Sequence, residues 1–263
     1  MALVQNDIKG KLAFITGASG GIGGGCAKAL LLKDCDLALH YSSNSLSMEE
    51  LVAQLKKDYD THVHPDSDRF LRITTHQADL GSVEACQTLL EDVRKRHGRP
   101  VDIFVSNAGI SRFKKDIVDI ELEDWEAVMG VNLRATFLLT KGVVPAMKEQ
   151  RWGRIIFVSS IAGYGAGVNG AHYAATKGGM TGMMKNLSTR LAEHNITVND
   201  VSPAMIGDTG MFPSSSDVPK HSPDIPLGRL GTPEECANVV VMFCTTGYMT
   251  GQSVLLAGGL NHK

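Results

Sequence analysis

The stretch Thr16–Gly23, TGASGGIG, constrains this chain more than any other part of it. It holds four glycines, and it follows an apolar run, Leu12–Ile15, and precedes a helix-period stretch, Cys26–Leu32. Glycine lets a chain turn tightly and lets its backbone approach another group closely. A helix opening near Ile22 adds unpaired N–H groups and the positive end of its dipole. Strand, glycine turn and helix in that order read as a cradle for the pyrophosphate of a dinucleotide. The spacing is TGxxxGxG rather than GxGxxG.

The remaining sequence keeps the same rhythm. Strand candidates are 11–16, 36–41, 71–78, 101–106, 154–159, 197–202 and 253–256. Helix-period stretches lie between them at 49–58, 83–96, 125–148, 173–193 and 233–244. Regular alternation requires right-handed crossovers and a parallel sheet covered on both faces. The expectation is an α/β fold: one Rossmann-type, doubly wound parallel sheet of about seven strands. With no low-complexity linker, residues 1–263 are read as one domain. Two segments break the pattern. Residues 59–70, with His62, His64 and Pro65, read as a polar surface loop, and no metal site is expected there. Residues 204–226 hold four prolines between apolar residues and read as a substrate lid.

Composition narrows the classes. A hydrophobic content of 43% and a charged content of 21% suit an ordinary globular protein. The net charge of −2 gives no reason to expect a nucleic acid or an anionic membrane as partner. No continuous apolar run approaches the ~20 residues of a bilayer span, and the N-terminus lacks a signal-like pattern. Cys26, Cys35, Cys86, Cys236 and Cys244 are scattered, odd in number and without a CxxC pair, which suits reduced thiols in the cytoplasm.

A second constellation carries chemistry. Ser160 closes the apolar strand RIIFVSS, Tyr173 follows thirteen residues later, and Lys177 four after that. Residues four apart on a helix share a face. A free tyrosine titrates near ~10, and a neighbouring ammonium is expected to lower that value. Ser160 is placed to hydrogen-bond an oxygen on which negative charge develops. Ser159 is its competitor, and Tyr164 lacks a lysine four residues on.

With these residues in order, the chain resembles the short-chain dehydrogenase/reductase family from Lys11 to about Gly259. Asp79, the run Asn107-Ala108-Gly109, Asn132, Ser160, Tyr173 and Lys177 follow the glycine turn in the family's order, ahead of PLGRLGTPEE and TGQSVLLAGG. The resemblance implies that Gly17, Ser19, Gly20, Gly21, Ile22 and Gly23 line the phosphates and that Asp79 and Leu80 bracket the adenine. It implies that Asn107, with Ala108 and Gly109, supports the sheet beside the cofactor. Pro203, Ile206 and Thr209 would meet the nicotinamide end. Tyr173 would transfer the proton, Lys177 would hold the nicotinamide ribose, and Asn132 would hold a water linking that lysine to solvent.

The end of the second strand, His40-Tyr41-Ser42-Ser43-Asn44, carries no carboxylate to repel a 2′-phosphate. NADP(H) is therefore favoured over NAD(H), with Tyr41, Ser42, Ser43 and Asn44 beside the phosphate. Against this, Gly20 stands where many NADP-using relatives carry a base. Ser42–Asn44 also suit a turn that caps the next helix. Ser106, Ala204 and Ala257 depart from the commonest family pattern and remove no reacting group. The implied activity is reduction of a ketone or 3-oxoacyl group, the nearest branch being the 3-oxoacyl-[acyl-carrier-protein] reductases. Alternatives are an alcohol or polyol dehydrogenase, a secondary-metabolite ketoreductase, or a dinucleotide-sensing module without turnover. A carrier protein stays open as a partner through Arg151 and His194. The family also implies a homotetramer, or a dimer, built on helices 125–148 and 173–193, where Met180, Met183 and Met184 fit either an interface or the core.

Overall fold

Strands such as LAFI and IFVS are apolar at every position, so both of their faces need cover. The computed structural model describes residues 6–62, 71–165, 169–210 and 225–260, and shows how that cover is supplied. Strands β1 (Leu12–Ile15), β2 (Asp36–Tyr41), β3 (Ile73–Gln77), β4 (Ile103–Ser106), β5 (Gly153–Val158), β6 (Ile196–Pro203) and β7 (Ser253–Leu256) form one sheet of order β3-β2-β1-β4-β5-β6-β7. Every pairing is parallel. Helices are α1 (Gly21–Leu31), α2 (Ser45–His62), α3 (Val83–His97), α4 (Leu122–Val128), α5 (Ala135–Gln150), α6 (Ala171–Leu191) and α7 (Pro233–Thr245).

The side-chain period of two divides each strand between two cores. Ala13, Ile15, Leu37, Leu39, Val105 and Ile156 meet Cys26 and Leu30 of α1 and Val240 and Phe243 of α7. Leu12, Phe14, Phe104, Ile155 and Phe157 face the opposite way, onto Leu89 of α3, Leu139 of α5 and Met184 of α6. Phe14 and Phe104 stack with centroids 5.5 Å apart. The strand order reverses between β1 and β4, which opens a crevice at the C-terminal ends of the strands.

Several local expectations change. Helix α2 begins at Ser45 and runs to His62, so residues 59–62 are helical rather than loop. Tyr59 explains part of that extension, because its hydroxyl donates to Asp34 Oδ1 at 3.0 Å. His64 and Pro65 lie outside the described residues. The single helix expected at 125–148 is α4 and α5 joined by a π-helical turn, Met129–Arg134. By length and mean hydropathy the run Leu122–Gln150 could cross a bilayer, with 44% of its most apolar window buried. Here Ala135, Leu139, Val143 and Met147 cover the sheet. Met180 and Met184 are fully buried in that same core, which decides their reading, while Met183 only packs against it. All five cysteines are free and buried.

Edge strand β3 buries an unusual polar cluster. Thr74 Oγ1 lies 2.6 Å from His76 Nε2 and 2.7 Å from His97 Nε2, and His76 Nδ1 is 2.6 Å from Asp92. Burial holds His97 down at about 4, with Arg72 adding to the effect, and also keeps His76 below its ordinary value against the pull of Asp92. Because these folded values lie below the unfolded one, the unfolded chain takes up protons first as the pH falls. The cluster's stability is complete above pH ~6.5 and is lost progressively towards pH ~4. For His97 the expected loss is about 2 kcal/mol by pH 5. Urea unfolding at the two ends of that range reads it, and equal stabilities at both would dismiss the assignment.

Candidate active site

The cradle forms because its glycines allow contacts that a side chain would block. Gly17 has φ +64°, and a Cβ there would meet Ala108 Cα at 2.9 Å. A Cβ on Gly23 would lie 2.3 Å from Gly17 O and 2.8 Å from Ala18 Cα. Helix α1 begins at Gly21 with no side chain capping it, so its first N–H groups stay available to an anion. Asn107 fastens the cradle to β4: its Nδ2 donates to Thr16 O at 2.9 Å and Gly17 O at 3.1 Å. These features fit a dinucleotide. They line a cleft of about 700 Å³, together with Ser19, Gly20, Ile22, Asp79, Leu80 and Gly109.

The end of β2 divides its polar residues between ligand and scaffold. Ser42 lines the cleft, but Tyr41, Ser43 and Asn44 do not. Tyr41 packs against the α1–α7 core, and Asn44 Oδ1 accepts from Ser47 N at 3.0 Å, capping α2. Capping therefore uses the Asn44 amide oxygen, whereas a phosphate would be met by its Nδ2 donor. Sequence reasoning passed over His40, which also lines the cleft. Its Nδ1 accepts from Gly17 N at 3.1 Å, so its Nε2 carries the proton and donates to Ala78 O at 3.1 Å. Burial lowers the His40 pKa and favours that neutral ring. The available signal was position, since His40 is the last inward-facing residue of β2.

Ser160, Tyr173 and Lys177 meet on the same cleft, opposite the cradle, with Pro203, Ile206 and Thr209 beside them. Ser159 also lines the cleft, but its hydroxyl donates to Lys177 O at 3.0 Å. Ser160 Oγ accepts from Ala162 N at 3.1 Å and makes a long 3.4 Å contact to Pro203 O, so its proton is lightly held. Tyr164 is turned away and donates to Ser253 Oγ at 2.6 Å. Lys177 Nζ donates to Val158 O at 2.8 Å and stands 5.5 Å from the Tyr173 ring centroid.

Expectation and structure part over the phenol. Burial pushes Tyr173 up to about 12, outweighing a hydrogen bond with Ser160 that acts downward. Burial also brings Lys177 down to about 8, against the opposing charge of Asp200. In this protein the phenol is a held acid, because desolvation penalises the phenolate more than its neighbours favour it.

Asn132 is fully buried in the π-helical turn. Its Oδ1 accepts from Ile110 N at 2.8 Å, and its Nδ2 donates to Ile110 O at 3.0 Å and Thr176 Oγ1 at 3.3 Å. It thus ties the turn after β4 to α6 and does not itself line the cleft. Asn132 Oδ1 and Lys177 Nζ both border the space above Gly109, where a Cβ would meet them at 3.3 and 3.6 Å. Ile110, Ser111, Phe113, Val131 and Val158 also line the cleft, and no motif pointed to them. Of the expected lid, Ala204, Ile206, Thr209 and Gly210 line the cleft. Residues 211–224, including Met211 and Phe212, lie outside the described residues. Away from the cleft, Arg151 donates to Glu193 O at 2.8 Å, and His194 Nε2 is 3.7 Å from Glu193 Oε1.

A family model described as short chain dehydrogenase matches residues 11–219. The chain is 35% identical over 260 residues to a 3-oxoacyl-[acyl-carrier-protein] reductase FabG of Rickettsia felis, covering 97% of this chain and 98% of that one. It is 32% identical over 256 residues to the protein of the same name from Aquifex aeolicus, covering 96% and 98%. It is 33% identical over 265 residues to dehydrogenase/reductase SDR family member 4 of Bos taurus, covering 98% and 90%.

Proposed function

Because the chain belongs to the short chain dehydrogenase family, we propose that it reduces a ketone or 3-oxoacyl carbonyl to a secondary alcohol, with NADPH as the reductant. It is an NAD(P)-dependent oxidoreductase acting on CH–OH or C=O groups; the proposal adds direction, donor and residue roles. The observation that carries it is the meeting of Ser160, Tyr173 and Lys177 on the cleft that the glycine cradle opens.

The bound dinucleotide supplies the hydride. Gly17–Gly23 and the start of α1 would hold its pyrophosphate, Asp79 and Leu80 its adenine, and Ile206 and Thr209 its carboxamide. Asn107, Ala108 and Gly109 form the floor beside it. Tyr173 gives its phenolic proton to the carbonyl oxygen as the carbon gains hydride. A phenol held at about 12 by burial suits that donation better than the reverse. Ser160 turns its hydroxyl onto the same oxygen, where charge develops. Lys177 is mostly ammonium at neutral pH, holds the ribose hydroxyls and stabilises the phenolate left behind. Asn132 sets the turn beneath Lys177 through Ile110 and Thr176.

Ser42 and the absence of a carboxylate at the end of β2 support NADP(H). Arg151 is exposed and gives one N–H to the backbone carbonyl of Glu193, while His194 Nε2 lies 3.7 Å from the Glu193 carboxylate, so a carrier protein stays open as a partner. The substrate is a small carbonyl compound, free or borne on such a carrier. Leu122, Trp125 and Phe137 expose apolar area on the 122–150 run, which supports assembly into a tetramer through that run. One nucleotide-binding domain over 1–263, a lid at 204–226 and a cytoplasmic location complete the reading.

Paired oxidation of NADPH and NADH against 3-oxoesters, cyclic ketones and diketones tests the proposal. NADPH should be preferred by at least about tenfold, and Ser42→Asp should remove most of that preference, since a carboxylate there repels the 2′-phosphate. If no carbonyl compound is reduced with either nucleotide, the proposal falls. A preference for NADH would overturn the choice of donor.

A further inference from the structure

Asp200 occupies the middle of a hydroxyl network that the mechanism above leaves unused. It lies on β6 with 0% exposure. Its Oδ2 accepts from Thr181 Oγ1 at 2.9 Å, and its Oδ1 accepts from Ser202 Oγ at 3.0 Å and from Ser253 Oγ. Three hydroxyl donors on two oxygens suit an acceptor-only carboxylate.

The network reaches both halves of the reacting group. Ser253 is the register partner of Asp200 on β7, and Tyr164 Oη donates to it at 2.6 Å. Tyr164 ends the short 3-10 turn that Ser160 caps. Thr181 stands one turn beyond Lys177 on α6. Ser159 Oγ lies 3.4 Å from Thr181 Oγ1 and donates to Lys177 O at 3.0 Å. One buried carboxylate therefore joins the serine turn to the lysine helix.

We propose that Asp200 is a positioning residue of the reaction, the fixed counter-charge of Lys177 and the anchor that sets the Ser160 turn against α6. The inference rests on the Tyr173–Lys177 reading above. Burial lowers Lys177 and the charge of Asp200 raises it. Among the described residues, Tyr173 on its own helix is the other titratable group facing the ammonium. The π-helical turn presents neutral Asn132, β5 presents Val158 O, and the turn after β4 presents Gly109. A buried ammonium without its counter-charge loses its proton at lower pH.

Asp200→Asn removes the charge and keeps the shape, and Asp200→Ser removes it while leaving a hydroxyl. In both, the alkaline limb of kcat for carbonyl reduction should move down by about one pH unit. The alkaline limb of NADPH binding, followed by nucleotide fluorescence, should move with it. Tyr164→Phe keeps the charge and frees the turn, so kcat should fall severalfold with both limbs in place. Folded neutral variants whose limbs match the wild type would overturn the assignment. Failure of both neutral variants to fold would overturn it too, by making Asp200 a folding residue. If the wild type reduced no carbonyl compound, the functional reading would fall, and the binding limb would still decide the pairing of Asp200 with Lys177.

Discussion

Tyr173→Phe lowers kcat for carbonyl reduction by about 10²–10⁴-fold, the usual worth of a positioned general acid. NADPH binding changes by less than about threefold, because the lost hydroxyl belongs to the proton transfer and not to the cradle. The ring itself stays packed against Val128 and Ala162, so the fold is retained. The pH dependence has a definite sign. With the phenol at about 12 and Lys177 at about 8, reduction is flat below pH 8 and declines above it as the ammonium is lost. Steady-state turnover of NADPH with a responsive ketone measures both effects. A variant keeping more than about a tenth of the wild-type rate would mean that another group delivers the proton.

Gly23→Ala raises the Kd for NADPH by about two orders of magnitude, equivalent to ~2.7 kcal/mol. The added Cβ would sit 2.3 Å from Gly17 O and 2.8 Å from Ala18 Cα, and both are backbone. The turn must open to admit it, which displaces the N–H groups at the start of α1. Forcing a methyl group into so tight a contact also costs about 1–3 kcal/mol of stability. Fluorescence titration with NADPH, beside a thermal melt of the free protein, separates the two losses. Unaltered binding would mean that the phosphates lie elsewhere.

Much of this was legible in one dimension. The strands fall where apolar runs alternate with helix-period stretches, and the cradle falls where four glycines interrupt that pattern. The tyrosine and lysine share a helix face because their spacing matches the helix repeat. Other features left no local trace. The π-helical turn at Met129–Arg134 is accompanied by bonds from Asn132 to Ile110 and Thr176, which lie 22 and 44 residues away. Asn44 carried a capping signal and a phosphate-binding signal at once, and the start of α2 at Ser45 shows that its amide oxygen serves the cap. His40 looked like one more residue of a strand until its ring met Gly17 and Ala78.

The sequence by itself determined the α/β class, the order of the elements, the cradle and the spacing of the reacting side chains, because helix and strand repeats act over a few residues. Tertiary structure alone decided which polar groups are consumed by the scaffold and which are left for chemistry. It set Tyr173 high, brought Lys177 low and gathered three hydroxyls onto Asp200. Desolvation and buried hydrogen bonds depend on what the distant parts of the chain bring together, and the 53-residue separation of Asp200 and Ser253 vanishes only when β6 pairs with β7.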